Sequence, residues 1–170
     1  MKNYSLEELQ LLTLKWSEKR KILSKGSAET QLLKALSEIG EFCNNVAMND
    51  LQATKDDIGD CIVCLINIAY LLNRKLYITY FNNDHQYPDM KLSKLGFTLA
   101  LKFAELGLNH EDNKYPQYAI NDICGLLTLA ANTINSTIQE CWNVAYEDIK
   151  DRKGYLNENG NFIKEDCNLP

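Results

Sequence analysis

Two pairs of acidic residues, each spaced i, i+3, occur in segments that otherwise have the apolar pattern of α-helices. The pairs are Glu38 with Glu41 and Asp57 with Asp60, and they flank a polar break at residues 48–50. Residues three or four apart lie on one face of a helix, so both members of a pair project from the same side. If the break is a tight turn between antiparallel helices, the four carboxylates are predicted to meet at one level of a helical hairpin.

Four carboxylates in a low-dielectric site repel one another unless a cation neutralises them. Oxygen ligands with room for water favour Mg²⁺, with Mn²⁺ as a possible substitute, over Zn²⁺. A di-iron carboxylate bundle is the nearest alternative, but it normally requires Glu-x-x-His pairs, and His85 and His110 fall in predicted loops. Solvated acidic faces would explain the pattern without a metal. Against them, the second pair enters residues 58–72, an almost continuously apolar helix that is predicted to be buried.

Basic residues near the end of the chain are candidates for binding the phosphates that often accompany carboxylate-bound Mg²⁺. Lys150, Arg152 and Lys153 close the last predicted helix, where they could relieve charge on a leaving phosphate. Basic residues in the last turn of a helix also complement its dipole, so two interpretations remain open. Lys34 shares the polar row of Glu38 and could either pair with the acids or reach a phosphate.

Three further residues are candidates for contacts with a nucleoside. Asn67 lies seven positions after Asp60 and could bond a sugar or base, or could be a satisfied buried amide. Trp16 and Tyr146 could stack on a base, although single aromatic residues on helical stripes also serve as core residues. With the acids, these residues indicate hydrolysis by a water that a metal or a carboxylate polarises.

Size and composition favour one domain with its own core, or two small repeats around a shared core. The formal net charge of −5 argues against a nucleic acid polymer as partner, but not against a nucleotide. No apolar run reaches the roughly 18 residues of a membrane span, so no membrane association is expected and the cytoplasm is the expected location. The six cysteines are expected to be reduced core residues.

Hydrophobic periodicity predicts an all-α bundle of about six helices in a single domain, residues 1–170. A capping box at Ser5 and Glu8 begins the first helix, which Gly26 ends. The other helices are predicted over residues 28–47, 54–73, 91–108, 116–130 and 136–153. Residues 1–73 form the half that carries the acids, residues 74–90 a loop, and residues 91–154 a second helical half. The tail, residues 155–170, contains Asn159-Gly160 and could form a short hairpin.

The two halves show signs of internal repetition. Residues 57–62 are similar to residues 122–127, and residues 37–40 loosely match residues 104–107. The second copy has lost most of its acids. Chance similarity between apolar helices is the alternative to a degenerate tandem repeat.

Three segments together resemble the MazG-type, all-α nucleotide pyrophosphohydrolases, whose signature is E-x-x-E on one helix and E-x-x-D on the next. Residues 31–41, ending in Glu38-Ile39-Gly40-Glu41, look like the first motif helix of that family. Asp57-Ile58-Gly59-Asp60 corresponds to the second acidic pair, and residues 60–67, which include Asn67, look like the second motif helix. Residues 145–154 and 162–165 are similar to the end of short MazG-like proteins, many of them phage-encoded.

This resemblance implies a helical bundle that assembles as a homodimer or higher homo-oligomer, in the host cytoplasm if the protein is phage-encoded. The implied activity is Mg²⁺-dependent cleavage of a nucleoside triphosphate, often a deoxynucleotide, to the monophosphate and pyrophosphate. By position, the metal ligands and catalytic residues would be Glu38, Glu41, Asp57 and Asp60. Lys150 and Arg152 would contact phosphate.

The chain departs from the family pattern at three points. Asp57 replaces the usual Glu, Ser37 stands where many members have an additional Glu, and about sixty residues separate the third helix from the closing motif. The insertion would let one chain supply a bundle that simpler members build by dimerising, as in dimeric all-α dUTPases. The alternatives are therefore a dUTPase-like pyrophosphatase, a helical interaction protein that binds nucleotide or metal without turnover, and a purely structural bundle.

Overall fold

A computed structural model describes residues 3–82, 87–158 and 162–165 of the chain, and α-helices account for most of this part. The helices are α1 (Leu6–Lys19), α2 (Ile22–Lys25), α3 (Ala28–Ala47), α4 (Leu51–Leu71), α5 (Leu92–Leu108), α6 (Tyr115–Thr133) and α7 (Ile138–Ile149). A short 3-10 helix (Ile78–Asn82) follows α4, and two short strands, β1 (Gly154–Leu156) and β2 (Phe162–Lys164), follow α7. The predicted all-α bundle of about six helices with a short C-terminal hairpin is confirmed.

Helix α4 lies at the centre because its sequence is apolar on nearly every side. It packs against α3, α7, α6, α1 and α2, and Ile58, Ile62 and Leu65 are fully buried. Each such side chain stabilises the fold by roughly 1.5–3 kcal/mol. The predicted burial of this helix is confirmed. Any polar group on α4 must therefore find a partner within the protein or at the mouth of a cavity.

The predicted turn between α3 and α4 is present. Asn49 adopts a left-handed conformation with φ 56°, and the carboxylate of Asp50 accepts a hydrogen bond from the Ala53 amide at 3.0 Å. Asp50 is thus the N-cap of α4, which begins three residues before the predicted start at Thr54. The Thr54 hydroxyl instead donates back to the Asp50 carbonyl at 2.7 Å, inside the first turn.

The second hairpin, α5 with α6, packs against the first through α3. A Cβ added at Gly96 would lie 2.7 Å from Cys43 Sγ and 3.3 Å from the Phe42 ring, so a residue without a side chain is needed at this crossing. Buried residues of both halves form one continuous core. Within the hairpin, Lys102 Nζ lies 3.4 Å from a carboxylate oxygen of Glu105 on α5 and 3.5 Å from one of Asp122 on α6.

Helix α7 approaches α4 very closely at Gly59. A Cβ added there would lie 2.5 Å from Ala145 Cβ and closer still to the carbonyl oxygen of Cys141. A capping box of Thr137 and Glu140 begins α7, but the helix ends at Ile149 rather than at the predicted residue 153.

The segment that follows α7 is bound by a residue just after α1. The guanidinium of Arg20 donates to the carbonyl oxygens of Lys150 and Arg152, which follow the last residue of α7. The chain then turns into β1. Lys150, Arg152 and Lys153 therefore lie in the connection between α7 and the hairpin instead of on a helical face.

Helix α1 is also shorter than predicted. It ends at Lys19, and the chain reverses at Lys21, which has φ 63°, before the four residues of α2. The break places Ile22 in the core, with 3 % of its surface exposed, and directs Arg20 onto the face of Trp16. A continuous helix to Gly26 would not place Ile22 in the core and Arg20 over Trp16 at the same time.

The C-terminal hairpin is confirmed, with β1 and β2 antiparallel and Tyr155 opposite Ile163. Its predicted turn at Asn159-Gly160 lies outside the described residues. The predicted loop after α4 contains the 3-10 helix, whose Phe81 is buried. The described cysteines are free and, except for Cys43, buried, as predicted. Among the described residues, no helix combines the length and apolarity needed to cross a membrane.

Candidate functional site

The α3–α4 hairpin carries all four predicted acids, but it exposes them to different degrees. Glu38 and Asp57 are buried, with 5 % and 7 % of their surfaces exposed. Asp60 is partly buried and Glu41 is exposed. A buried carboxylate needs a nearby cation or hydrogen bonds to stabilise its charge. Glu38, Asp57 and Asp60 are therefore the acids for which such partners must be identified.

Two neighbours compensate two of these acids. Lys34 forms an ion pair with Glu38 one turn along α3, and Asn45 Nδ2 donates to Asp57 Oδ2 at 2.8 Å. In the part of the chain described, no three acidic, histidine or cysteine side chains are arranged so that they could hold one metal ion. The convergence of all four acids on one cation thus remains a prediction, and a shared ion would require Lys34 and Asn45 to release their partners.

Burial, and to a lesser extent repulsion between acids, raises the pKa of three carboxyl groups of the hairpin. Burial, with repulsion from Glu38 and Asp56, raises the pKa of Asp60 to about 8. Burial raises the pKa of Asp57 to about 6, even though the bond from Asn45 opposes the shift. The pKa of Asp56 is also raised, first by burial and then by Asp148. These carboxylates lack sufficient positive charge from the protein itself.

A cavity of about 230 Å³ opens beside Glu38 and Asp60. It lies between the α3–α4 hairpin, α1, the end of α7 and the β-hairpin. Six of the residues that the sequence suggested line it together: Trp16, Lys34, Glu38, Asp60, Asn67 and Arg152. Acidic, basic, amide and aromatic side chains therefore share one small volume, which is the usual composition of a ligand site.

A pair of buried amides forms one wall of this cavity. Asn67 Nδ2 donates to Gln31 Oε1 at 3.0 Å, and both side chains are buried. The other polar atom of the Asn67 side chain, Oδ1, is buried without a hydrogen-bond partner. An unsatisfied acceptor costs free energy unless a ligand donates to it, so this wall is suited to an N–H or O–H group.

The aromatic wall is held in place by bonds away from the cavity. Trp16 Nε1 donates to the Ile149 carbonyl at 2.7 Å, which leaves the ring itself as the lining surface. Phe162 of β2 meets Trp16 edge to face, with 5.8 Å between ring centres. The guanidinium carbon of Arg20 lies 4.5 Å from the centre of the Trp16 ring.

The remaining predicted site residues lie outside the cavity. Tyr146 is buried and packs edge to face against Tyr4, with 5.6 Å between ring centres. Lys150 bonds Glu147 at 2.9 Å and, with Lys153, lines a neighbouring basic groove. Glu41 and Asp57 continue the acidic row of the hairpin beyond the cavity lining.

Comparisons with known proteins yield one limited similarity. No family model matches the chain, and no solved structure matches it. The chain is similar to an uncharacterized 18.2 kDa protein in the rep-hol intergenic region of Haemophilus phage HP1, with 37 % identity over 54 residues. The match covers 32 % of this chain and spans only about a third of the phage protein, 33 % of its length.

Three residues of the site are absent from the sequence-based prediction. Asp56 lies next to Asp57 and one turn before Asp60, and its Oδ1 is buried without a partner. The i, i+4 spacing to Asp60 was a signal for it. Gln31 lacked any such signal because its role depends on Asn67, 36 positions away. Phe162 reaches the cavity only because β2 folds back over α1.

Proposed function

We propose that this protein is a hydrolase that cleaves a nucleoside triphosphate, often a deoxynucleotide, to the monophosphate and pyrophosphate in a Mg²⁺-dependent reaction. The observation that carries the proposal is the shared cavity of Glu38, Asp60 and Arg152. A carboxylate pair suited to a divalent cation and a guanidinium suited to phosphate thus lie at one site. The resemblance to the MazG-type pyrophosphohydrolases supports the same reaction.

The acidic side chains near the cavity supply the oxygen ligands that a hard divalent cation prefers, although no three of the described acids are arranged to hold one ion. All nearby acidic ligands are oxygen donors, Asp56 Oδ1 lacks a partner, and the raised pKa values of Asp57 and Asp60 indicate missing positive charge. Glu38 and Asp60 would hold the ion, with Asp56, Asp57 and Glu41 as neighbouring acids. Bound Mg²⁺ would neutralise phosphate charge and polarise a water for attack.

The other side chains have roles that follow from their positions. A carboxylate of the hairpin, in its charged form, would accept the proton of the attacking water. Arg152 stabilises the negative charge that develops on the leaving phosphate. Trp16 lines the cavity with only 9 % of its surface exposed and would contact the base with that part, and the amide wall of Asn67 and Gln31 binds a donor group of the nucleoside.

The direct test is a screen for pyrophosphate release from all common NTPs and dNTPs in the presence of Mg²⁺. We expect turnover of at least one triphosphate, and we expect Glu38→Gln with Asp60→Asn to reduce kcat at least about a hundredfold. Glu29→Gln, an exposed acid in the first turn of α3, is the matched control and should retain full activity. Full activity of the cavity variant would remove these acids from the mechanism.

A second candidate function is binding of nucleotide or metal without turnover, as part of a helical interaction protein. The pairing of Glu38 with Lys34 and the replacement of the family's Glu by Asp57 favour it, because both weaken a metal site. Calorimetric binding of a nucleotide, together with no product after prolonged incubation, would support this function over hydrolysis.

A dUTPase-like all-α pyrophosphatase is the closest variant of the main proposal. It is favoured by the α5–α6 hairpin, which packs against α3 and so contributes to the bundle within one chain. Preferential release of pyrophosphate from dUTP in the screen would select it.

We also propose that the protein acts as a homodimer or higher homo-oligomer in the cytoplasm, which is the host cytoplasm if the protein is phage-encoded. The α5 helix exposes Phe97 and Leu108, with 74 % and 86 % of their surfaces accessible, and a second copy of the chain would cover these side chains. Sedimentation of the purified chain would measure the assembly state.

A further inference from the structure

A basic groove of about 1010 Å³ lies next to the acidic cavity, and Arg152 lines both. The groove forms where the corner between α1 and α2 meets the connection from α7 to β1. Seven basic and three acidic side chains line it, although the whole chain has a formal net charge of −5. Concentrated positive charge in an acidic protein requires an explanation.

Contacts within the fold account for only some of these cations. Arg20 bonds the carbonyl oxygens that follow α7, Lys150 bonds Glu147, and Arg152 bonds Asp148. The other four basic side chains bond no acid in the described part of the chain. They are Lys19, Lys21, Lys25 and Lys153. Lys19 and Lys25 lie in last helical turns, where they also complement the helix dipole, but Lys21 and Lys153 lie outside helices.

We propose that this groove is a polyphosphate subsite, in which the lysines of the α1–α2 corner and Lys153 hold the terminal phosphates of a nucleoside triphosphate and the pyrophosphate that is released. The nucleotide part of this inference rests on the proposed function. The acids of the cavity lie on one side of Arg152, and the lysines of the groove lie on its other side, where they would bind phosphate. The charge is gathered at one corner and interrupted by three acids, which favours a short polyanion over a nucleic acid strand.

The first experiment measures binding of inorganic pyrophosphate to the full-length chain by calorimetry, with divalent cations removed. We expect Lys21→Gln with Lys25→Gln to weaken binding about tenfold, since each substitution removes a charged contact and leaves a neutral polar side chain. We also expect the affinity of the unmodified chain to fall with increasing salt. Lys15→Gln with Lys94→Gln, two exposed helix positions outside the groove, is the matched control and should bind as tightly as the unmodified chain.

A second measurement separates this inference from the proposed function. Glu38→Gln with Asp60→Asn should abolish turnover but leave metal-free pyrophosphate binding intact. Absence of turnover with any triphosphate would overturn the proposed function while leaving the pyrophosphate result standing. Equal pyrophosphate affinities in the groove and control variants would overturn the subsite. Tighter binding of a single-stranded oligonucleotide than of pyrophosphate would also overturn it.

Discussion

The pKa of Asp60 depends on the burial and the charges of the candidate site. Burial, and then the charges of Glu38 and Asp56, raise its pKa, while Arg152 and Lys34 oppose the shift. In the metal-free protein this carboxyl binds a proton more tightly when folded than when unfolded. The stability that it contributes is therefore fully present below its ordinary pKa of 3.8 and is lost as the pH rises through about 8.

Because folding raises the pKa of Asp60, we predict that the metal-free protein becomes less stable as the pH rises from about 4 to 8. We expect Asp60→Asn to flatten this dependence, because the amide keeps the shape but does not ionise. Thermal unfolding in a chelator across this pH range is the measurement. An unchanged slope in the variant would assign the dependence to other groups.

Asn67 provides a second test at the scale of the residue. Replacing it with Leu removes the orphaned Oδ1 and the bond to Gln31 at once. We expect a rise in KM of about tenfold with little change in stability, since the removal of the unsatisfied Asn67 Oδ1 offsets the loss of the donor to Gln31 Oε1. Steady-state kinetics and thermal unfolding of the same preparation would measure both effects. A large loss of stability with unchanged KM would identify Asn67 as a structural residue.

At the scale of the element, the crossing of α4 and α7 decides where Arg152 meets the acids. Gly59→Ala would force its Cβ into Ala145 and the backbone of Cys141, so we expect a destabilisation of about 3 kcal/mol or more. Gly40→Ala is the matched control, because a Cβ at this exposed position of α3 meets nothing within 4 Å. That substitution should stabilise the protein by about 0.5–1 kcal/mol.

Chemical denaturation of the two variants measures this difference. Similar stabilities of Gly59→Ala and Gly40→Ala would mean that α7 can move away from α4. In that case the position of Arg152 beside Asp60 would not depend on the glycine.

Helix periodicity was sufficient to predict most elements, because each amphipathic or buried segment carries its own pattern. The predicted ends of α1 and α7 are wrong, and at both places the chain contacts segments that are distant in the sequence. Helix α7 ends at Ile149, and Arg20 binds the carbonyl oxygens of the segment that follows it; α1 breaks at Lys21, which places Ile22 in the core. The start of α4 is a local error, since Asp50 and Thr54 are both acceptable N-caps by residue type.

The candidate site was predictable to the extent that helical spacing places side chains on faces. Glu38, Asp60 and Asn67 share one cavity, as a common polar stripe on facing helices would suggest. Gln31 and Phe162 depend on packing between segments far apart in the chain. The burial of Tyr146 against Tyr4 likewise follows from the docking of the N-terminal segment on α7.

At the scale of the whole molecule, we expect Mg²⁺ to raise the thermal stability of the protein, because it binds the folded acidic site and has no such site in the unfolded chain. The effect should be larger at pH 8.5 than at pH 6, since ligands must lose their protons before they bind metal. Thermal unfolding with Mg²⁺ and with chelator at both pH values tests this. No stabilisation at either pH would favour the purely structural bundle.

In the second hairpin, the ammonium group of Lys102 lies between the carboxylates of Glu105 and Asp122 and acts as their counter-ion. In the first hairpin Lys34 pairs with Glu38, and under the proposed function a divalent cation from solution would balance the charge of the remaining acids. Removing divalent cations should therefore increase backbone hydrogen exchange in α3 and α4 while leaving α5 and α6 unchanged. In the cell, the α3–α4 hairpin of such a protein would become more rigid as the concentration of free Mg²⁺ rises. The rigidity of the α5–α6 hairpin would not depend on that concentration.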